Sequence, residues 1–179
     1  MTCVVGIESD GIVLLGGDSS CLDEEGDAVI TQRQSKVFRK KNGYVIGFSG
    51  SFQVGDLLKY RVDFPERFTI DNHHRLISEA IEKAFKDAKM KNNEDWNALI
   101  GFKDRLYIVQ ADFYCYRHSR PYAAIGAGAA VAVALGTLST LEKKASKKMT
   151  GRARLKMALE NAQMFSANVR APWRFTKTS

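Results

Sequence analysis

Two apolar, β-branched-rich runs, Thr2–Glu8 and Ile12–Gly17, are separated only by Ser9-Asp10-Gly11, and that junction constrains the fold more than any other stretch. Asp-Gly readily supplies the φ > 0 backbone of a tight hairpin whose twist matches its strands. The two runs are therefore expected to pair antiparallel. Such pairing carries the end of the second run, Gly16-Gly17-Asp18-Ser19, back beside Thr2 at the start of the first.

Further along, Ala28–Thr31, Lys36–Lys40 and Tyr44–Ser49 read as strands, with Leu22–Asp27 as a polar surface loop and Asn42-Gly43 as a second hairpin turn. Val54, Leu57, Leu58 and Val62 recur at helical spacing from Ser51 to about Asp63, and Pro65 closes that segment. A second helix is expected over Asn72–Met90, with Leu76, Ile77, Ala80, Ile81, Ala84, Phe85 and Ala88 on its apolar face. Trp96–Phe102, Arg105–Gln110, Phe113–Tyr116 and Tyr122–Ile125 return to short strands. Helices follow over Gly128–Lys144 and Arg152–Ser166, and Ala171–Lys177 closes the chain as a strand or irregular tail. Strands, two helices, strands and two helices form segregated runs, which predict an α+β domain spanning residues 1–179, with two antiparallel sheets stacked between helix pairs.

A chain of 179 residues with 45% hydrophobic content can bury one substantial core. Cys3, Cys21 and Cys115 are odd in number and show no metal-ligand spacing, which fits reduced thiols in a cytoplasmic protein. They read as small core or edge residues. No apolar run approaches the roughly 18 residues needed to span a bilayer, so no membrane association is expected. The net charge of +7 raises nucleic acid as a partner. Its main clusters are Lys36, Arg39, Lys40 and Lys41, then Lys143, Lys144, Lys147, Lys148, Arg152, Arg154 and Lys156. Neither cluster carries interleaved aromatic residues or a nucleic-acid module, so a solvated face or an acidic protein partner fits better. His73, His74 and His118 lack companions at metal spacing, and Gly126–Gly136 lacks the Lys-Ser/Thr of a phosphate loop.

Thr2 carries the strongest chemical suggestion. With Met1 removed, its hydroxyl and free α-amine place nucleophile and base in one residue, and an amine of pKa about 7.7–8.0 is partly neutral near pH 7. Thr2 is equally an ordinary strand opener. Asp18 is a candidate neighbour, though a turn aspartate accepting backbone N–H groups explains it as well. Lys36 interrupts the apolar pattern of Ser35-Lys36-Val37-Phe38. Its charge would depress the pKa of a nearby amine or hydroxyl, whereas the simpler reading is an exposed-face lysine. Gly47, in Ile46-Gly47-Phe48-Ser49-Gly50, could bring a backbone N–H close to a developing oxyanion or simply serve a strand-to-helix turn.

In order and spacing, Thr2–Ile7, Asp10–Ser19, Ser35–Phe38 and Tyr44–Gly50, with a later echo in Ala123–Gly128, resemble the proteasome β-subunits and the peptidase HslV, which are N-terminal nucleophile hydrolases. The resemblance implies a four-layer αββα sandwich and a threonine-type peptidase acting through an acyl-enzyme. Under it, Thr2 is the nucleophile, Asp18 and Lys36 are its charged supports, and Gly47 supplies the oxyanion N–H. Val45 lines the pocket for the residue preceding the cleaved bond, and Phe48 is placed with the substrate-binding residues. Ser19, Ser20 and Cys21 present backbone to an extended peptide by strand addition. The resemblance also implies a homo-oligomeric ring, an ATP-dependent unfoldase partner, and peptide or unfolded-protein substrates, with no metal or organic cofactor.

The chain departs from the family pattern in two places. Gly126-Ala127-Gly128 stands where Gly-Ser-Gly is usual, and Gln163 aligns with the usual last-helix aspartate. An inactive structural subunit and an N-terminal nucleophile amidase acting on a small molecule are the competing readings.

Overall fold

The computed structural model describes residues 2–22, 29–91, 95–143 and 149–179. Strands β1 (Cys3–Ser9) and β2 (Ile12–Gly17) form the expected hairpin, in register from Ser9↔Ile12 to Val4↔Gly17. Asp10 and Gly11 both take positive φ, 54° and 76°, as a two-residue primed turn demands. β10 (Tyr122–Gly126) and β11 (Arg174–Lys177) flank this hairpin to complete a sheet of order β10-β1-β2-β11. A short ribbon pairs β3 (Ser20–Leu22) with β4 (Val29–Thr31).

A second antiparallel sheet is built in chain order from β5 (Val37–Arg39), β6 (Val45–Ser49), β7 (Asn97–Phe102), β8 (Arg105–Gln110) and β9 (Cys115–Tyr116). Among the described residues, four helices cover the two sheets: α1 (Phe52–Tyr60), α2 (His73–Asp87), α3 (Gly128–Lys143) and α4 (Gly151–Phe165).

Three apolar layers separate these elements. Val4, Val13, Leu15, Val37, Val45, Leu99 and Leu106 pack between the sheets. Ile46, Phe48, Leu58, Ile77, Ile81 and Trp96 fill the space under α1 and α2. Cys3, Val5, Ile7, Leu155, Leu159 and Ala134 do the same under α3 and α4. β1 thus faces a helix layer with its odd residues and the opposite sheet with its even ones. Burial on both faces explains its near-continuous apolar sequence. The architecture is the expected α+β, αββα sandwich.

Element ends moved for local reasons. α1 stops at Tyr60 instead of near Asp63, because Lys40 Nζ donates to the carbonyls of Leu58, Lys59 and Val62 and terminates the helix. α2 ends at Asp87, three residues early, with Lys89 closing the turn at φ 52°. The strand expected from Phe113 begins at Cys115, since Phe113 has φ 66° and turns back to donate to the Gln110 carbonyl. Lys36 stands in a bend just ahead of β5. With Lys36 buried and Lys40 capping α1, the first basic cluster is no simple surface patch. Residues 23–27 of the expected polar loop, Ala28 of the expected strand, and Lys144, Lys147 and Lys148 lie outside the described residues.

His73, expected only as a helix start, is wholly buried. Its Nε2 lies 2.7 Å from the Tyr44 hydroxyl and its Nδ1 2.9 Å from the Tyr107 hydroxyl. Burial first, then the charges of Arg105, His74 and Lys103, push its pKa down to about 4. A folded pKa below the unfolded value of about 6.5 means that stability is intact above pH 6.5 and falls as pH drops toward 4. The loss should total about 3 kcal/mol. Urea unfolding of the protein and of His73→Gln between pH 7 and 4.5 checks this, the variant being expected to lose that part of the pH dependence.

Candidate active site

The hairpin register determines the site. Because Val4 pairs with Gly17, Asp18 arrives next to the start of β1, where its N–H donates to the Cys3 carbonyl at 3.2 Å. Its carboxylate is fully buried. Oδ1 accepts the Cys3 N–H at 2.9 Å, and Oδ2 accepts the Ser20 N–H at 3.0 Å together with the Ser20 hydroxyl. Lys36, 2% exposed, reaches the same carboxylate, with Nζ 3.0 Å from Oδ2 and 3.2 Å from Oδ1, and also donates to the Ser20 carbonyl. The bend that aims this lysine is tied to β6 by a 3.1 Å bond from the Phe48 N–H to the Lys36 carbonyl.

Burial lowers the Lys36 pKa from its ordinary value, and the Asp18 charge and hydrogen bond act against that shift. A buried pair of this kind must be compensated by close hydrogen-bonding partners on both sides, which Cys3 and Ser20 supply.

Thr2 is held from the other side. Its carbonyl accepts the Ala127 N–H at 2.8 Å. Gly126 crosses this carbonyl at φ 123°, where a Cβ would come within 1.8 Å of the oxygen, so this position admits only glycine. Thr2 and Lys36 line one pocket of about 250 Å³ with Ser20, Cys21, Ser49, Gly50, Phe52, Gly126 and Ala127. Thr2 is 7% exposed there, and Asp18 lies behind the wall.

The structure thus brings together Thr2, Lys36, Ser20 and Cys21 at the pocket, with Asp18 directly beneath. Ser19 is turned away. Its N–H donates to Arg170, its carbonyl accepts from Gln32, and its hydroxyl donates to the Pro172 carbonyl at 2.5 Å.

Three other expected positions are displaced from the pocket. Gly47 is interior to β6 between Val37 and Leu99, and a Cβ there would meet Val4 Cγ1 at 2.5 Å, so its small size serves sheet-on-sheet packing. Val45 belongs to the same inter-sheet layer, and Phe48 points into the layer under α1. The glycine at the pocket is Gly50, three residues on, at φ 94° with a Cβ position 2.2 Å from the Asp95 carbonyl oxygen. Its place between a strand end and a helix start was the available sequence signal.

Gln163 is exposed on α4. The residue of that region that reaches the site is Asn168, whose carbonyl lies within hydrogen-bond reach of the Ser20 hydroxyl oxygen. The three cysteines are buried and free of disulfides. Cys3 has its pKa raised to about 12 by burial and by Asp18, which leaves it a protonated thiol at neutral pH.

No protein-family model matches the sequence, and no curated protein matches it significantly. Solved structures do match in shape along nearly the whole chain. Eukaryotic HslV from Trypanosoma brucei aligns with a TM-score of 0.75 at 16% identity, covering 98% of each chain. Thiobacillus denitrificans BPH, solved in complex with epoxomicin, aligns at 0.77 and 15% identity over 99% of this chain and 98% of its own. Anbu, an ancestral β-subunit from Yersinia bercovieri, aligns at 0.65 and 14% over 99% and 81%. No helix among the described residues is long and apolar enough to cross a membrane. Layer order, register and these likenesses agree, and the chain has the αββα fold that HslV, BPH and Anbu share.

Proposed function

We propose that the chain, after removal of Met1, is a threonine peptidase that cleaves peptide bonds through an ester on Thr2 Oγ1. The observation that carries this reading is that Thr2 shares a pocket with Lys36, whose ammonium is held by the buried Asp18 carboxylate. The Thr2 amine accepts the hydroxyl proton as Oγ1 attacks the carbonyl carbon. The resulting ammonium returns a proton to the departing amine, and water then hydrolyses the ester. Lys36 favours the neutral amine and stabilises negative charge developing on Oγ1. The oxyanion-binding N–H, expected at Gly47, is assigned to Gly50, with the first turn of α1 adding its positive end at Phe52.

Ser20 and Cys21 border an extended substrate peptide, and unfolded protein is the proposed substrate class. A homo-oligomeric ring is the proposed assembly, with an ATP-dependent unfoldase as its proposed partner. Ala127 favours a second reading, an inactive structural subunit, because it offers Thr2 an N–H and no hydroxyl.

Intact mass and inhibition separate the two. A species lighter by one methionine, with peptide cleavage that epoxomicin abolishes, is the expected result. Cleavage indifferent to epoxomicin would remove Thr2 from the chemistry, and absence of cleavage from the shortened species would favour the structural subunit.

A further inference from the structure

Ser20 lines the pocket, but the residue is only 1% exposed and its hydroxyl is turned to Asp18. Its Oγ lies within hydrogen-bond reach of Asp18 Oδ2 and of the Asn168 carbonyl, which follows α4. Its own N–H donates to Oδ2 at 3.0 Å, and its carbonyl accepts from Lys36 Nζ. One residue therefore touches both charged groups and the loop behind them. A serine has one O–H and two acceptors here, and a charged acceptor draws the stronger bond. The proton accordingly lies toward Asp18.

We propose that the Ser20 hydroxyl is a positioning residue that orients the Asp18 carboxylate toward Lys36, and through it the ammonium beside Thr2. The role for Lys36 and Thr2 rests on the peptidase reading, whereas the orientation of Asp18 does not. Asp18 Oδ1 is held by the Cys3 N–H, and Oδ2 by the Ser20 N–H and hydroxyl together, so the hydroxyl is the side-chain half of a two-point hold on Oδ2. The carboxylate keeps its backbone donors when the hydroxyl is removed, which predicts a folded variant with a misaligned pair.

The test compares Ser20→Ala, Ser20→Cys and Ser20→Thr. Ala and Cys are expected to lower kcat on the order of tenfold, with KM within about twofold, because a hydrogen bond to a charged group is lost at a site that does not bind substrate through this atom. Thr restores the donor and should recover most of kcat. A Cys variant with unchanged kcat overturns the proposal, since it keeps the shape and loses the strong donor. Crystal structures of wild type and Ser20→Ala supply a readout independent of turnover. The Asp18 carboxylate should rotate and lengthen its 3.0 Å contact with Lys36, and an unmoved carboxylate overturns the proposal. If wild type and Thr2→Ala show equal turnover, the peptidase reading fails on its own, and the position of the Asp18 carboxylate still decides the role of Ser20.

Discussion

Thr2→Ala is expected to lower kcat against a fluorogenic peptide by a thousandfold or more, the scale on which removal of a covalent nucleophile acts. The substitution removes only a hydroxyl and a methyl from a residue lining the pocket, so the unfolding free energy should change by only about 1 kcal/mol. Two companion species divide the roles within this one residue. Thr2→Ser keeps the hydroxyl and the amine and should retain measurable turnover. Protein that retains Met1 keeps the hydroxyl but has an amide nitrogen with no basic lone pair, and it should be as silent as Thr2→Ala. Equal rates for wild type and Thr2→Ala in the same assay, with intact mass verifying loss of Met1 in both, would sink the peptidase reading.

Removing Lys36 should produce the largest loss of stability. Lys36→Ala leaves the Asp18 carboxylate buried with no counter-ion, a change that typically costs about 3–5 kcal/mol. Against a total stability of about 5–15 kcal/mol for a domain, that loss is large. Urea unfolding measures it, and a loss below about 1 kcal/mol would mean that the pair is far better solvated than its burial implies. The double variant Asp18→Asn/Lys36→Met removes both charges and should regain part of the stability while remaining inactive. Only part returns, because the carboxylate oxygens accept N–H donors from Cys3 and Ser20 on both sides. An asparagine must turn its NH₂ toward one of them. Stability and activity thus separate in one pair of residues.

The hairpin, the layer order and the nearness of Asp18 to Thr2 were legible because each rests on short-range pattern, whereas Lys36 joined them only through the family resemblance. Asp-Gly sets the turn, the turn sets the register, and the register carries Asp18 back to the strand start. Lys36 was recognisable as an interruption of an apolar run, although the same interruption fits an exposed lysine. The glycine at the pocket was misplaced within Gly47-Phe48-Ser49-Gly50, where one glycine packs sheet on sheet and the other opens the turn beside the cleft. Both read as small residues near a strand end. What distinguishes them is the Val4 methyl above one and the Asp95 carbonyl beside the other, partners separated from them by more than forty residues of chain.

By itself, then, the sequence determined the segregated runs of strands and helices, the β1–β2 turn and Thr2 as the proposed nucleophile, all consequences of local backbone preference and residue chemistry. Tertiary structure alone decided that Lys36 is buried and paired, that His73 is held neutral between two tyrosines, and that the Ser20 hydroxyl faces Asp18. It also placed Gly50, and not Gly47, at the pocket. These outcomes depend on which long-range neighbours exclude water and supply hydrogen bonds, and residue spacing along the chain does not encode that information.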